Sequence, residues 1–276
     1  LPHALAAARA HDRLYVQLQK LRDGNRFDEA LALVEATIAA GDRSSQMANL
    51  LVDTLICAGR YLEALSVTYE PAPDDPDDAF HSLLVEINKA EAEYNLGRWD
   101  TADARLRLID ERSQRFPLTR ASLLQQRAWI AAHQSRSADG LALTAQADAS
   151  AVPRLFLSEL HFTSALLLLA LGQLDAASDA AAQGSALQLR ASSGRNALFI
   201  LARVAGARGE WAAAEALCRR AAEHSYRGQG GDGLLFWGDA LARLQRGPEA
   251  REAWQLAIAR DAQSESAQLA AARLLA

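Results

Sequence analysis

The sequence predicts an all-α chain built as a solenoid, with about seven helix pairs stacked in order and a capping helix at the C-terminal end. Three observations predict it. First, a six-residue phrase returns at nearly even intervals. Asn25-Arg26-Phe27-Asp28-Glu29-Ala30 is echoed by Gly59-Arg60-Tyr61-Leu62-Glu63-Ala64 and Gly97-Arg98-Trp99-Asp100-Thr101-Ala102. Further echoes are Gly172-Gln173-Leu174-Asp175-Ala176-Ala177 and Gly209-Glu210-Trp211-Ala212-Ala213-Ala214, with weaker ones closing on Gly140 and Ala250. The closing small residue falls at 30, 64, 102, 140, 177, 214 and 250, in steps of 34 to 38 residues. A period in that range marks stacked supersecondary units. Second, 60 of the 276 residues are Ala and only 7 are Pro, and Ala loses no side-chain entropy in a helix. Third, no stretch alternates β-branched and polar residues as a half-buried strand would.

The phrase has a mechanical reading. Gly, or Asn25, ends a helix in the left-handed region, where side chains with a Cβ are strained. The aromatic or Leu two positions on plugs the angle between two helices, and the small residue three further lets them approach. The aromatics Phe27, Tyr61, Trp99 and Trp211 are expected between the helices of their own units. Helix pairs are predicted near 11–41, 45–70, 80–112, 119–150, 155–190, 195–225 and 231–261. A capping helix is predicted from Ser264 to Leu275, and Leu5 to Ala10 is read as a cap for the other end. Unit four has Ser135-Arg136-Ser137 in place of the Gly–x–aromatic turn, so it reads as degenerate and as the least protected turn.

These residues resemble the tetratricopeptide repeat family. Its pattern appears most fully in the last unit, as Gly238, Ala250, Trp254 and Ala257 followed by Asp261, and again in Ala202, Gly209, Trp211, Ala214 and Ala221. The resemblance covers about residues 11–276 and implies a right-handed superhelical solenoid of TPR-like pairs. Steps of 37–38 residues exceed the family's shorter unit, and the Pro usual after the second helix is mostly missing. Long units of this kind are similar to those in sensor regions of large bacterial transcription activators and signalling ATPases. Residues 1–276 therefore read as one solenoid domain, cut from a larger protein.

Composition narrows the function. Net charge is −5, and Lys20 and Lys89 are the only lysines. No basic run supplies the clustered cations that displace counterions from a phosphate backbone, so direct nucleic-acid binding is not expected. The apolar stretch Ala165–Leu171 is too short to span a bilayer. Cys57 and Cys218 have no partner at metal-ligand or redox spacing and read as buried thiols of a reducing compartment, cytoplasmic rather than periplasmic. The bias to Arg and Ala suggests a bacterial source.

Three segments invite a chemical reading and fail it. Pro71 to Asp78 carries four carboxylates without the alternation, Gly and distal Glu of a calcium loop, and reads as an acidic surface loop. Gly228 to Gly233 precedes a helix predicted from Leu234 but follows no strand and has no Lys, so it reads as an inter-unit loop. The six histidines form no metal or triad spacing. Neither a catalytic site, a metal site nor a cofactor is expected.

In the family resembled, the second, fifth, ninth and twelfth residues of each first helix face a concave groove. That register implies candidate partner-binding residues Tyr15, Asn49, Asp53, Glu91, Tyr94, Trp129, Phe162, Leu166, Phe199 and Arg203. The early wall, with Asp12, Asp53 and Glu91, is acidic. The middle wall, with Trp129, Phe162, Leu166, Leu169 and Phe199, is apolar and would suit an apolar peptide or helix, unless these side chains pack between units instead. The set of Lys, Asn and Arg that clamps a C-terminal carboxylate is lacking. The expectation is a non-catalytic scaffold that binds a protein or peptide, within a bacterial regulatory or assembly protein. The alternative is a ligand-responsive sensor domain of a signalling or transcriptional regulator. Oligomeric state does not follow from the sequence.

Overall fold

The computed structural model describes residues 13–22, 24–72, 75–147, 152–187, 194–223 and 231–276, and every regular element among them is helical. Helix α1 covers 13–22. It is followed by α2 (Phe27–Ala39), α3 (Ser45–Cys57), α4 (Tyr61–Ser66), α5 (Pro76–Asn95), α6 (Trp99–Leu108), α7 (Asp110–Ser113), α8 (Pro117–His133) and α9 (Ser137–Thr144). The second half comprises α10 (Arg154–Ala170), α11 (Leu174–Leu187), α12 (Gly194–Ala207), α13 (Trp211–Ala222), α14 (Gly231–Arg243), α15 (Gly247–Arg260) and α16 (Glu265–Leu275). Consecutive helices pack as pairs, and each pair's first helix touches the next pair's first helix: α3 on α5, α5 on α8, α8 on α10, α10 on α12, α12 on α14. Helix α16 covers the last pair, with Ser264 capping it by accepting from the Ala267 N–H at 3.1 Å. The chain is an all-α superhelical solenoid, and its core is a series of apolar clusters between neighbouring units. The cap expected over Leu5–Ala10 lies outside the described residues.

The chain reversals within pairs are alike to a degree the sequence only partly shows. Residues 25, 59, 97, 135, 172, 209 and 245 all have φ between 56° and 81°. Each of these residues donates its N–H to the carbonyl three back, as Gly97 does to Tyr94 at 2.9 Å and Ser135 to Ala132 at 3.2 Å. The next residue donates to the carbonyl five back, as Arg98 does to Glu93 at 2.9 Å and Arg136 to Ala131 at 2.8 Å. That pair of bonds is the Schellman closure, which satisfies carbonyls orphaned at a helix end. Unit four therefore keeps the common turn although it lacks the Gly. Ser135 and Gln245 hold a conformation that costs an L-residue about 1 kcal/mol.

Several expected boundaries move, for physical reasons. The acidic loop stops at Asp75. Pro76 occupies the first turn of α5, where a missing N–H costs nothing, and Asp75 caps it by accepting from Asp77 N–H at 2.9 Å. Asp78 accepts from the Ser45 backbone N–H at 3.1 Å and from the Ser45 hydroxyl, tying the start of α5 to the start of α3. Helix α4 ends at Ser66, well short of the expected 70, and leaves a hollow lined by Met47, Leu51, Leu55, Glu63 and Val67. Helix α14 begins at Gly231 rather than Leu234. A Cβ at Gly233 would lie 2.5 Å from the Phe199 ring, so this glycine permits helix contact rather than holding a loop. Among the turn aromatics, Phe27 and Tyr61 are buried as expected, whereas Trp99 and Trp211 are half-buried and reach toward the following unit.

The superhelix comes round on itself. The Tyr61 hydroxyl donates to Asp261 Oδ1 at 2.7 Å across 200 residues of chain, with both side chains buried. Beside it the Leu62 N–H donates to Gln263 Oε1 at 3.2 Å, and the Glu265 side chain lies against Gly97. The turns of units two and three thus meet the lead into α16. Burial pushes the Asp261 carboxyl up to about 6, against the Tyr61 hydrogen bond, which favours the ionised form.

Two expected outcomes test this architecture. Tyr61→Phe should lower stability by about 1–3 kcal/mol, since it removes one of the hydrogen bonds to a buried carboxylate. Small-angle scattering should show an expanded particle, and an unchanged denaturation midpoint and radius would refute the contact. Ser135→Gly should raise stability by about 1 kcal/mol by relieving the left-handed strain, read from the urea midpoint.

Candidate functional site

Polar groups of successive first helices are bonded from unit to unit. Arg22 of α1 donates to Asp53 of α3 at 2.6 Å and to the Cys57 sulfur at 3.0 Å. Asn88 of α5 donates to Asn49 Oδ1 at 2.9 Å, and Gln125 of α8 to the Thr163 hydroxyl of α10 at 3.0 Å. Asn196 of α12 reaches Glu159 of α10 at 3.5 Å. Among them stands Glu91 of α5, partly exposed but largely surrounded by protein. The Gln126 side-chain amide donates to its Oε2 at 3.4 Å, and the carboxylate makes no ion pair among the described residues. Burial pushes the Glu91 carboxyl up to about 7, with the charges of Asp53 and Glu159 adding to the effect and Arg22 opposing it.

An aromatic stack adjoins this carboxylate one helical turn along α5. Tyr94 lies parallel to Trp99, with centroids 5.7 Å apart and planes 1° from parallel. His133, at the end of α8, stacks on the same Trp99 at 4.2 Å, and Trp129 tilts against His133 at 5.1 Å. The unit-three turn supplies Trp99, so a turn plug here also joins two units. Farther along, Arg203 of α12 pairs with Asp232 of α14 at 3.0 Å and lies 5.8 Å from the centre of the Phe236 ring. Burial pushes the Tyr94 hydroxyl well above its ordinary value, and the charges of Glu91, Glu159 and Asp232 add to it, so all three carboxylates share its surroundings.

The residues expected in the groove divide. Asn49, Asp53, Glu91, Tyr94, Trp129 and Arg203 take part in the inter-unit contacts just described. Tyr15 is exposed on α1, and Asp12 lies outside the described residues. Leu166 is half-buried against the cluster around Phe162. Phe162 and Phe199, expected to show part of each ring, are 3% and 7% exposed and belong to the core. Their faces press on glycines: a Cβ at Gly184 would sit 2.6 Å from Phe162, and one at Gly233 2.5 Å from Phe199. The continuous apolar strip is thus corrected to a shorter aromatic cluster flanked by carboxylates. Sequence reasoning missed Trp99, Gln126, His133, Glu159 and Asp232. Glu159 and Asp232 stand at second positions of their units, a signal that was available. His133 falls one place past the twelfth position, and only the stack reveals it.

Burial pushes the Cys57 thiol up to about 12 and the Cys218 thiol likewise to about 12, which suits inert thiols. Among the described residues no group of three His, Cys, Asp or Glu side chains is placed to hold a metal ion, and no helix is long and apolar enough to cross a membrane.

A scan against protein-family models finds no match, and a search of curated proteins finds none either. Solved structures do match. A Rap protein complexed with Competence and Sporulation Factor superposes with a TM-score of 0.59 at 15% identity, over 92% of this chain and 77% of that one. The Rap conjugation gene regulator of plasmid pLS20, in complex with the Phr* peptide, gives 0.57 at 12% identity, over 90% and 74%. A tetratricopeptide repeat protein from Parabacteroides merdae ATCC 43184 gives 0.53 at 13% identity, over 95% and 99%. At these identities the likeness establishes the fold, which is that of the tetratricopeptide solenoids the sequence resembles.

The raised Glu91 carboxyl has a signed consequence. Its native value of about 7 exceeds the ordinary 4.5, so folding favours the protonated form. The wild-type chain should lose stability as pH rises from about 4.5 through about 7. Glu91→Gln should remove that slope, and above pH 8 it should be more stable than wild type by up to about 3 kcal/mol. Urea midpoints of both proteins at several pH values check this, and parallel pH profiles would refute it.

Proposed function

We propose that this chain is a non-catalytic scaffold whose inner wall binds an extended polypeptide, within a bacterial regulatory or assembly protein. One observation carries the reading. Tyr94, Trp99 and Trp129 are only partly buried, while the neighbouring core is filled by other residues such as Ile87, Leu123 and Ile130. Aromatic side chains fixed in place offer large contact area at low ordering cost, and such residues dominate binding energy. Partly exposed Asn49, Gln125 and Glu159 alongside them supply donors and acceptors for a peptide backbone. Net charge of −5 and an acidic wall disfavour a nucleic-acid partner.

The solved pLS20 regulator, of the same fold, is in complex with a peptide, which supports the class of partner. A sensor role is the second reading, and the Tyr61–Asp261 contact favours it. A superhelix pinned across one turn has two arrangements available, pinned and released, and a ligand that prefers one shifts the balance.

Selection of a displayed random-peptide library on the full chain should enrich binders. Trp129→Ala should weaken the best of them about tenfold or more, with the unfolding midpoint nearly unchanged. Failure to enrich any peptide above an uncoated surface would overturn the reading. For the sensor role, peptide binding should change the scattering radius of the wild-type chain but not that of Tyr61→Phe.

A further inference from the structure

The second helices of the solenoid are unequal. Helices α11, α13 and α15 have 14, 12 and 14 residues, whereas α4 has 6. Measured against α13, about 9 Å of helix is lacking. Helix α4 folds back along α3, so the turns it lacks would have lain beside the N-terminal half of α3. The hollow beyond Ser66 lies there, and it encloses about 490 Å³ between Ile38 of α2, Met47 and Leu51 of α3, and Val67.

The hollow is kept open by specific bonds. After Ser66 the backbone becomes extended at Val67, with φ −61° and ψ 125°. Continued helix would offer the Val67 carbonyl to residue 71, but Pro71 has no N–H to give. The Lys89 ammonium of α5 donates to that carbonyl instead, at 2.7 Å. Lys89 is 9% exposed, and burial pushes its pKa down. Farther along, the Tyr69 hydroxyl reaches Glu86 at 3.5 Å, and Asp78 accepts from the Ala72 N–H at 2.5 Å. Residues 67–72 are thus fastened to α5, and they wall the hollow rather than fill it.

Its walls suit a helix. Met47, Ala48, Leu51 and Leu55 lie along one face of α3, with Ile38 of α2 beside them. Ile38, Leu51 and Val67 are only partly buried. Helices laid side by side present a groove that another helix can enter, ridge into groove. The rim is acidic: Glu35, Asp42 and Glu63 stand around it against one cation, Arg43. Glu63 holds Arg60, whereas Glu35 is exposed and has neither ion pair nor hydrogen bond among the described residues. None of the residues expected in the groove lines this hollow.

We propose that the hollow between α2, α3 and α4 receives one amphipathic helix of a partner protein, apolar on its buried face and carrying Lys or Arg on its flanks. The helix takes the place of the turns that α4 lacks, and its cations meet the carboxylates of the rim. The site is separate from the groove and does not depend on a peptide being bound there.

The probe is a displayed library of three-helix mini-domains, each with one helix surface randomised, selected on the full chain. Enriched domains should carry an apolar stripe at i, i+3 or i+4 and i+7, flanked by Lys or Arg. Their affinity should fall about tenfold or more on Val67→Trp, which fills the hollow, and on Glu35→Arg, which reverses a charge at its rim. Raising salt from about 50 mM to about 500 mM should weaken them by a similar factor. Glu252→Arg, the same charge change at an exposed residue of α15, should leave binding unchanged. Because Glu35 is exposed and unpaired, Glu35→Arg decides the matter even if Val67→Trp folds poorly. If no enriched domain is sensitive to Glu35→Arg, or the sensitive ones lack basic residues, the proposal is overturned. A wild-type dimer in sedimentation equilibrium that Val67→Trp dissociates would put a second copy in the hollow. Binders obtained only after removal of residues 1–12 would put the chain's own segment there. Either result also overturns the proposal.

Discussion

A stack of helix pairs can be extended only if every reversal of the chain is made alike, because an angular error at one turn would be carried into all that follow. In this protein the condition is met by the backbone. Seven turns place one residue in the left-handed region and close with the same two hydrogen bonds, whether that residue is Gly, Asn25, Ser135 or Gln245. Side chains then adapt to a reversal already fixed. Where the turn aromatic is Phe27 or Tyr61 it is buried, and where it is Trp99 it stays half-buried and stacks on Tyr94 without loss of the turn. The solenoid depends on this constraint, and the aromatic surface of the groove is a by-product of the freedom it leaves.

The groove's character follows from a second constraint, the scarcity of cations on its wall. Arg22 and Arg203 are both engaged, by Asp53 and Asp232 respectively. Glu91 therefore has carboxylates near it on two sides and a neutral amide as its contact. Desolvation and like charge act in the same direction on it. An enclosed carboxylate without a counter-ion is a destabilising element in the isolated chain, and a feature that lowers stability without helping the fold is commonly retained for binding.

Much of the fold could be read from the sequence because its signals repeat. Seven imperfect copies of one phrase outweigh the failure of any one, which is why the unit built on Ser135 was counted even though its chemistry looked wrong. The register of small residues was readable too: Ala102, Ala177 and Ala250 are fully buried where it puts them. The site was less readable. Phe162 and Phe199 occupy groove-facing positions of the family register, yet the glycines at 184 and 233 open room for their rings within the core. Gly233 was read as part of a loop and Gly184 drew no reading, and the fact that each makes room for a distant ring is a three-dimensional one. Likewise, nothing in the spacing of Trp99 and His133 announces a stack, because it forms across two units whose relative rotation the sequence does not state.

The contact between Tyr61 and Asp261 also bears on how the chain reaches its structure. Repeat proteins ordinarily assemble from local contacts, each unit against its neighbour, and so avoid the entropy of closing long loops. A buried pair separated by 200 residues departs from that pattern. It can form only when the intervening units have taken up their pitch, so it reports on the accumulated geometry of all of them. The contact therefore serves as a check on assembly: a slipped or missing unit would still leave well-formed helix pairs, but it would carry Asp261 away from Tyr61 and leave the ring open.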